Sequence, residues 1–539
     1  MKFNGKKRIL SVLLSALLLS QLAACGSSGL PSGSSGTPSA GTPSPSPSSG
    51  ASEEAFAGYP IKTDKTLKIW SFSNRPASEY TDPSQSPFHK GLIEKTGVNL
   101  EWEWPVPGAD NSQSFNLMLA SGDLPDVIFY YLNGQQLIDD GYILSLNEVI
   151  DKYAPNLTAY YAQHPEMEKD LKTDQGNFYH FPWLRGSDFL RTYLGPVVRK
   201  DWLSEQGLEI PQTIDEWTTT LKKFKESYGA TFAVANANNR MWQMGPWVAY
   251  GVMKDYYIDE GKIVYGPSLP EYRDALATMH QWYKDGLIDP DFATLDDAGM
   301  QTKVLNNKVG FSFTASSQIT NWTQAITAGQ GMGEWTAAPY PVINKGDSPE
   351  FVQMDGNPFN LGAAITTSCK DVELAARFLD YGYTEEGRMY WNFGTEGESY
   401  NLVNGEPVYT DAVLNYPEGI NKALDKYIGT QGAGMSIQDE RMWRQKNLAV
   451  AAEGVEIWTS DNLMKTHALP VITPTTEETN ELSALENAIK TYMEEMYYKF
   501  LYGEESLDNF DKYVDTLYSM KLDRVLEIKQ AQLERYNNR

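Results

Sequence analysis

The sequence predicts an α/β protein of two lobes, and three observations predict it. Apolar runs of strand length alternate with amphipathic helices, and this alternation comes in two blocks. The foldable part is about 480 residues long, too many for one hydrophobic core. A tract of Ser, Gly and Pro near the beginning separates that body from a short apolar leader.

Taken in order, Leu67–Trp70 reads as a first strand that ends in the loop Ser73-Asn74-Arg75-Pro76. Phe88–Thr96 reads as a helix, and Asn99–Trp104 alternates in polarity as a second strand. Ser114–Ala120 is helical, and Ser121–Pro125 is a turn. Asp126–Tyr130 is a buried strand by its continuous apolar run. The second block starts near Arg191. Pro211–Lys225 is a helix, with Thr213 and Glu216 spaced as a capping box. Tyr272–Asp285 is an amphipathic helix stopped by Gly286. Phe313–Gln318 is a strand end, and Val372–Tyr381 and Thr384–Trp391 are helices. The tail Glu481–Asn537 is helical with a break at Gly503. No internal repeat is evident.

The leader carries Lys2, Lys6, Lys7 and Arg8, then the apolar stretch Ile9–Leu19, then Leu22-Ala23-Ala24-Cys25. That order is a secretory signal, and its final cysteine resembles the lipobox of bacterial lipoproteins. The resemblance implies cleavage before Cys25 and a diacylglycerol thioether on its sulfur. Residues 26–50 hold no charge and no aromatic group, so they are expected to be a flexible tether reaching about 25–30 Å. No later stretch has the roughly 18 apolar residues of a membrane span. The other cysteine, Cys369, reads as a small buried or loop thiol. A formal charge of −25 argues against nucleic acid and anionic membrane surfaces as partners.

Several blocks carry a family resemblance. Ser121-Gly122-Asp123-Leu124-Pro125-Asp126-Val127, Lys200–Leu203 through Pro211-x-Thr213-x-x-Glu216, and Trp282–Pro290 are three of them. Phe378–Gly387 with Asn392–Gly397, and Tyr498-x-Phe500 with Gln530–Asn537, are two more. Together they resemble the extracellular solute-binding proteins of ABC importers, in particular the long Gram-positive lipoproteins related to oligosaccharide binders. The resemblance implies a periplasmic-binding-protein-like II fold, with two α/β lobes, a crossed-over hinge and an inter-lobe cleft. Residues 1–24 are then the signal peptide and 25–58 the lipidated cysteine and tether. The first lobe is expected at 59–188 plus 338–398, and the second at 189–337 plus 399–539. The implied partners are an oligosaccharide, two permease subunits and the bilayer, through acylated Cys25. A monomer on the outer face of the bacterial cytoplasmic membrane is expected.

Many relatives carry a calcium-like loop soon after the lobe-entry helix, but here Phe224–Ala230 runs straight on. The nearest acidic group, Asp289, Asp291, Asp296 and Asp297, lacks the glycine and spacing of such a loop. No cofactor is expected, and calcium has no motif to support it.

The residues themselves favour a sugar. Sugar rings stack their C–H faces on Trp and Tyr, and their hydroxyls need amide and carboxylate partners. The chain has 14 Trp and 32 Tyr. Trp183 and Arg185 lie at the expected first crossing. Trp242 and Trp247 sit in an amide-rich loop. Tyr130, Tyr131 and Asn133 follow one strand end and Asn74 and Arg75 another, where open α/β sheets place ligands. Trp322 follows a third strand end, and Glu396 lies in a glycine-flanked turn. For each aromatic the competing role is core packing, and for each polar residue a solvated loop.

Catalytic patterns are missing. The five histidines show no zinc spacing, and neither a nucleophile elbow in the folded part nor a phosphate loop occurs. Two other roles stay open. One is a peptide or sensory-accessory binder leaning on Arg75, Arg185 or Arg240. The other is a secreted glycosidase with a carboxylate pair.

Overall fold

A computed structural model describes residues 56–72, 80, 82–106, 108–237, 241, 245–355, 361–429, 435–459, 464–472 and 474–539. The expectations for Cys25, Asn74, Arg75 and Trp242 fall outside these residues. Ala57–Arg539 forms one unit, whose two larger sheets, of five and four strands, each have their own core, with three two-stranded pairs besides among the described residues.

The first sheet has five strands, in the order Asn99–Glu103, Thr66–Ser71, Val127–Tyr131, Leu361–Ile365 and Phe181–Pro182. The first three are parallel, with Leu67 beside Leu100 and Ile69 beside both Trp102 and Val127. Leu361–Ile365 runs antiparallel to Val127–Tyr131, with Ala363 opposite Phe129. Both faces of residues 127–129 and of Leu361–Ile365 are covered, which is why they read as unbroken apolar runs, while Thr66–Ser71 leaves Thr66 and Lys68 exposed. The edge strand Asn99–Glu103 alternates between exposed and half-buried residues.

Local chemistry sets the helix ends. The Ser86 hydroxyl accepts from the His89 amide to start helix Pro87–Thr96. Gly97 stops it in the left-handed region, where a side chain would strike the Ile61 backbone. The capping box forms as expected: Thr213 Oγ1 accepts from Glu216 N, and Glu216 accepts from Thr213 N. Bonds from the Gln212 and Thr213 amides hold the Glu216 carboxyl below its ordinary range, aided by Lys345.

The second sheet runs Trp335–Ala337, Leu194–Arg199, Val309–Ala315 and Thr231–Phe232. Its two long strands are antiparallel, with Phe313 opposite Pro196. Helices Ile214–Tyr228 and Pro270–Lys284 bury Trp217, Leu221, Trp282 and Met279 against it. The C-terminal helices Thr476–Tyr502 and Leu522–Asn537 join the same core through Ile489, Phe500, Val525 and Ile528.

These cores redraw the lobe boundaries. The first core takes residues from Leu67 to Leu184, Ala363 to Trp391, and Met435 and Ile437. The second takes Leu194 to Met354 and Ala451 to Ile528. The expected return to the first lobe at 338 is therefore too early. Ala338, Tyr340, Phe351 and Met354 belong to the second core, and the Tyr340 hydroxyl donates to Leu194 O at 2.7 Å. The expected departure at 399 is also too early. Tyr400, Tyr409, Leu424 and Met442 form a small cluster with Phe393. It is tied to the first lobe by Tyr409 OH donating to Asn392 O at 2.7 Å and Gly429 N to Trp391 O. Apolar pattern identifies an element as buried but does not say in which core.

A link between the lobes lies at the end of the last helix. Asp174 of the first lobe accepts from Arg535 Nε at 2.7 Å and Arg539 Nε at 3.0 Å. Arg539 also donates to the carbonyls of Lys169 and Lys172, and Tyr536 OH donates to Asp170 at 2.8 Å. The Asp174 side chain is 5% exposed. Removing it takes a buried carboxylate from two guanidinium groups, while Arg535 keeps Glu478 and Arg539 keeps the Lys169 and Lys172 carbonyls, so Asp174→Ala should cost about 2 kcal/mol of unfolding free energy. Urea unfolding checks this; an unchanged midpoint would deny the clasp its role.

Candidate functional site

The chain passes between the cores from Leu184 to Leu194, from Met354 to Ala363 and from Ile437 to Ala451. The first and third passages pair as parallel strands, with Leu184 beside Ile437 and Arg185 beside Gln438. The first and second are joined by Asp355 N donating to Arg191 O and Arg191 Nε donating to Asp355 O, both at 2.9 Å. Gln353 Oε1 accepts from the amides of Tyr193 and Leu194 at 2.8 and 3.0 Å.

Arg185 draws the three passages together. Its guanidinium donates to Gln438 Oε1 at 2.8 Å and to Asp355 Oδ2 at 3.3 Å. Both charges are largely buried, with side chains 14% and 13% exposed. Burial lowers the Arg185 pKa and raises that of Asp355, and each group's charge opposes the other's shift. The Tyr193 hydroxyl donates to Asp355 Oδ1 at 3.4 Å, and burial followed by the Asp355 charge pushes Tyr193 up to about 12. The Arg185 guanidinium lies 4.5 Å from the centre of the Trp183 ring.

An aromatic row approaches this group from the carboxyl ends of the first-lobe strands. Phe72 stands 5.7 Å from both Tyr130 and Tyr131, and Tyr130 stacks on Phe115 at 4.3 Å. Tyr131 is 48% exposed and close enough to interact electrostatically with Arg185 and Tyr193. Asn133 is exposed just beyond, ahead of helix Gly134–Asp139, and its side chain makes no capping bond. On the second-lobe side Phe189 meets Trp443 edge-on at 5.1 Å, under the Arg444 guanidinium.

The structure thus brings Tyr130, Tyr131, Trp183 and Arg185 to one region, with Asn133 beside it. It does not bring Trp247 or Trp322 there. Trp247 is fully buried in the second core, 6.3 Å from Tyr272 and 6.4 Å from Tyr497. Burial also lowers neighbouring Lys254 to about 8. Trp322 is not in a loop: the strand ends at Ala315, and helix Ser316–Thr327 turns the indole inward onto Trp335 at 4.8 Å. Glu396 sits exposed on the turn before strand Tyr400–Val403. Sequence reading missed Phe72, Tyr193, Gln353, Asp355 and Gln438. Phe72 was accessible as the end of the first strand, but the others have no local motif.

Asp289 and Asp291, the nearest acidic group to a calcium loop, enclose an ammonium instead. Lys303 Nζ lies 3.0 Å from Asp289 and 2.9 Å from Asp291. That pair does not fit a divalent cation. Among the described residues no cluster of three or more His, Cys, Asp or Glu converges. Cys369 is buried, and its thiol is pushed up to about 12 by that burial, which suits a structural thiol. No helix among the described residues is long and apolar enough to cross a membrane.

The arrangement offers flat aromatic faces beside amide, carboxylate and guanidinium groups, which suits reversible binding of a polyhydroxylated ligand. Comparison with known proteins agrees in kind. A family model described as bacterial extracellular solute-binding protein matches residues 77–389. The fructooligosaccharide ABC transporter substrate-binding protein FusA of Streptococcus pneumoniae serotype 4 is 27% identical over 413 residues, 72% of this chain and 71% of FusA. Lipoprotein LipO of Bacillus subtilis is 26% identical over 399 residues, 70% of this chain and 74% of LipO. The crystal structure of the alginate-binding protein AlgQ2 without calcium ion aligns at a TM-score of 0.70 and 27% identity, covering 88% of this chain and 100% of AlgQ2.

Proposed function

Since the chain belongs to the bacterial extracellular solute-binding protein family, we propose that it is the lipid-anchored binding component of an ABC importer and captures an oligosaccharide between its lobes. It is a solute-binding protein and not an enzyme. The observation that carries the sugar is the half-exposed Tyr131, set at a strand end beside Phe72 and within electrostatic reach of Arg185. A sugar ring stacks on such a face while its hydroxyls reach polar groups alongside. The names of FusA and AlgQ2, which refer to fructooligosaccharide and alginate, support the same class. The lipobox-like run ending at Cys25, and the name of LipO, support the anchor. Lobe closure about the three passages would exclude water and present a closed form to two permease subunits.

The test is thermal unfolding of the purified protein against an oligosaccharide panel, with the sugars recovered afterwards. A ligand at about 100 times its dissociation constant stabilises by roughly 2.7 kcal/mol. A raised midpoint with intact sugar is expected. No shift across the panel would remove carbohydrate and bring peptides forward. Tyr131→Ala should lower sugar affinity at least tenfold, about 1.4 kcal/mol, with the unfolding midpoint unchanged. Wild-type affinity in that variant would take Tyr131 out of the site.

A further inference from the structure

Trp102 and Trp104 form a stack that the site described above does not use. Their rings are 5.7 Å apart and within 7° of parallel. Trp102 continues the stack onto buried Phe129 at 6.2 Å and 10°. The strand between them carries Ser71 beside Phe129 and Ile69 beside Trp102, and the small serine leaves room for the rings to meet. His89 stands edge-on to both indoles, with Nδ1 2.8 Å from Ser86 Oγ. Burial lowers this imidazole to about 4, so near neutral pH it brings no charge to the stack.

The stack has an inner and an outer end. Phe129 is core, while Trp104 is half-buried at the outside, and Val106 just beyond is 74% exposed. Trp104 follows the carboxyl end of Asn99–Glu103, as Phe72 follows Thr66–Ser71 and Tyr131 ends Val127–Tyr131. Those strands are adjacent in that order. Neighbouring strands lie about 4.8 Å apart, so Trp104 and Tyr131 are separated by two spacings, roughly 10 Å along one sheet edge. Trp104 is two residues past Trp102 and stays on its side of the sheet, while the Tyr131 ring turns over the strand end toward Phe72 and Tyr130.

We propose that Trp104 is an outlying stacking subsite, receiving a sugar ring at the far end of an oligosaccharide whose inner residues lie against Tyr131 and beside Arg185. This rests on the oligosaccharide reading above and extends it to selection by length. Trp102 and His89 act as supports that fix the plane of the outer indole.

The test is titration calorimetry with fructo- and maltooligosaccharide ladders, from disaccharide to hexasaccharide, on wild type, Trp104→Ala and Tyr131→Ala. Trp104→Ala should bind the disaccharide like wild type and the longest bound sugar at least tenfold more weakly. Tyr131→Ala should lose affinity at every length. Trp104→Phe, which keeps a flat face, should restore most of the long-sugar affinity. Should Trp104→Ala fail to fold, Trp104→Leu covers Trp102 without offering a flat face and carries the same expectation. Equal affinities for wild type and the variant at every length, or an equal loss at every length, would overturn the subsite while leaving the sugar reading intact. A folded wild type that binds neither ladder would overturn the sugar reading, and the subsite with it.

Discussion

Arg185→Ala is expected to lower the unfolding free energy by about 3 kcal/mol and to weaken solute binding at the same time. The guanidinium holds Asp355 and Gln438, which come from two other passages of the chain. Without it the Asp355 carboxylate is left largely buried, with Tyr193 and Gln353 as its remaining side-chain donors. A lysine supplies one compact charge and no planar fork, so Arg185→Lys should recover only part of the loss. The deficit has a pH sign. Burial already raises the Asp355 pKa, and loss of the arginine raises it further. A raised carboxyl pKa means the unfolded chain gives up its proton first as pH rises, so that term disfavours the fold above the unfolded value and fades below it. The gap between variant and wild type should therefore narrow toward acid pH. Urea unfolding at several pH values, with calorimetry at neutral pH, checks both parts. Unchanged stability and affinity would mean that the three passages are held by their backbone bonds alone.

Trp247→Ala should cost about 4 kcal/mol, the range for emptying a buried indole site. The ring is fully enclosed, and the loss falls in the second core rather than on a binding surface. Any protein that remains folded should bind solute with near wild-type affinity. Trp322→Ala should behave alike, since its ring lies against Trp335 within the same core. Denaturant unfolding and calorimetry on the folded fraction separate the two effects. A stable Trp247→Ala protein that no longer binds would return this indole to the ligand site.

The elements were legible where local chemistry decides them. The capping box at Thr213 and Glu216, the left-handed stop at Gly503 and the apolar run Val127–Tyr131 all lie where residue type dictates. That the aromatics Tyr130 and Tyr131 stand at a strand end was legible too, because the parallel order of the first strands gathers their carboxyl ends along one edge. Trp247 and Trp322 misled because an indole near glycine or amides looks the same in sequence whether it turns inward or outward. Helix Ser316–Thr327 begins directly after the strand and points Trp322 inward. The Arg185 group could not be read at all. Asp355 is 170 positions from Arg185 and Gln438 is 253, so only the folded crossings bring them together. The lobe boundaries failed for the same reason, since a buried residue such as Tyr340 does not declare its core.

The most direct test of the central claim is the distance between labels on the two lobes, measured by pulsed electron resonance with and without a bound oligosaccharide. Asn111 of the first lobe and Asn321 of the second are both exposed and suit this purpose. If the lobes close on a sugar about the passages held by Arg185, the distribution should shift to shorter distance and narrow when sugar is added. A distribution that stays the same while calorimetry reports tight binding would contradict capture between the lobes.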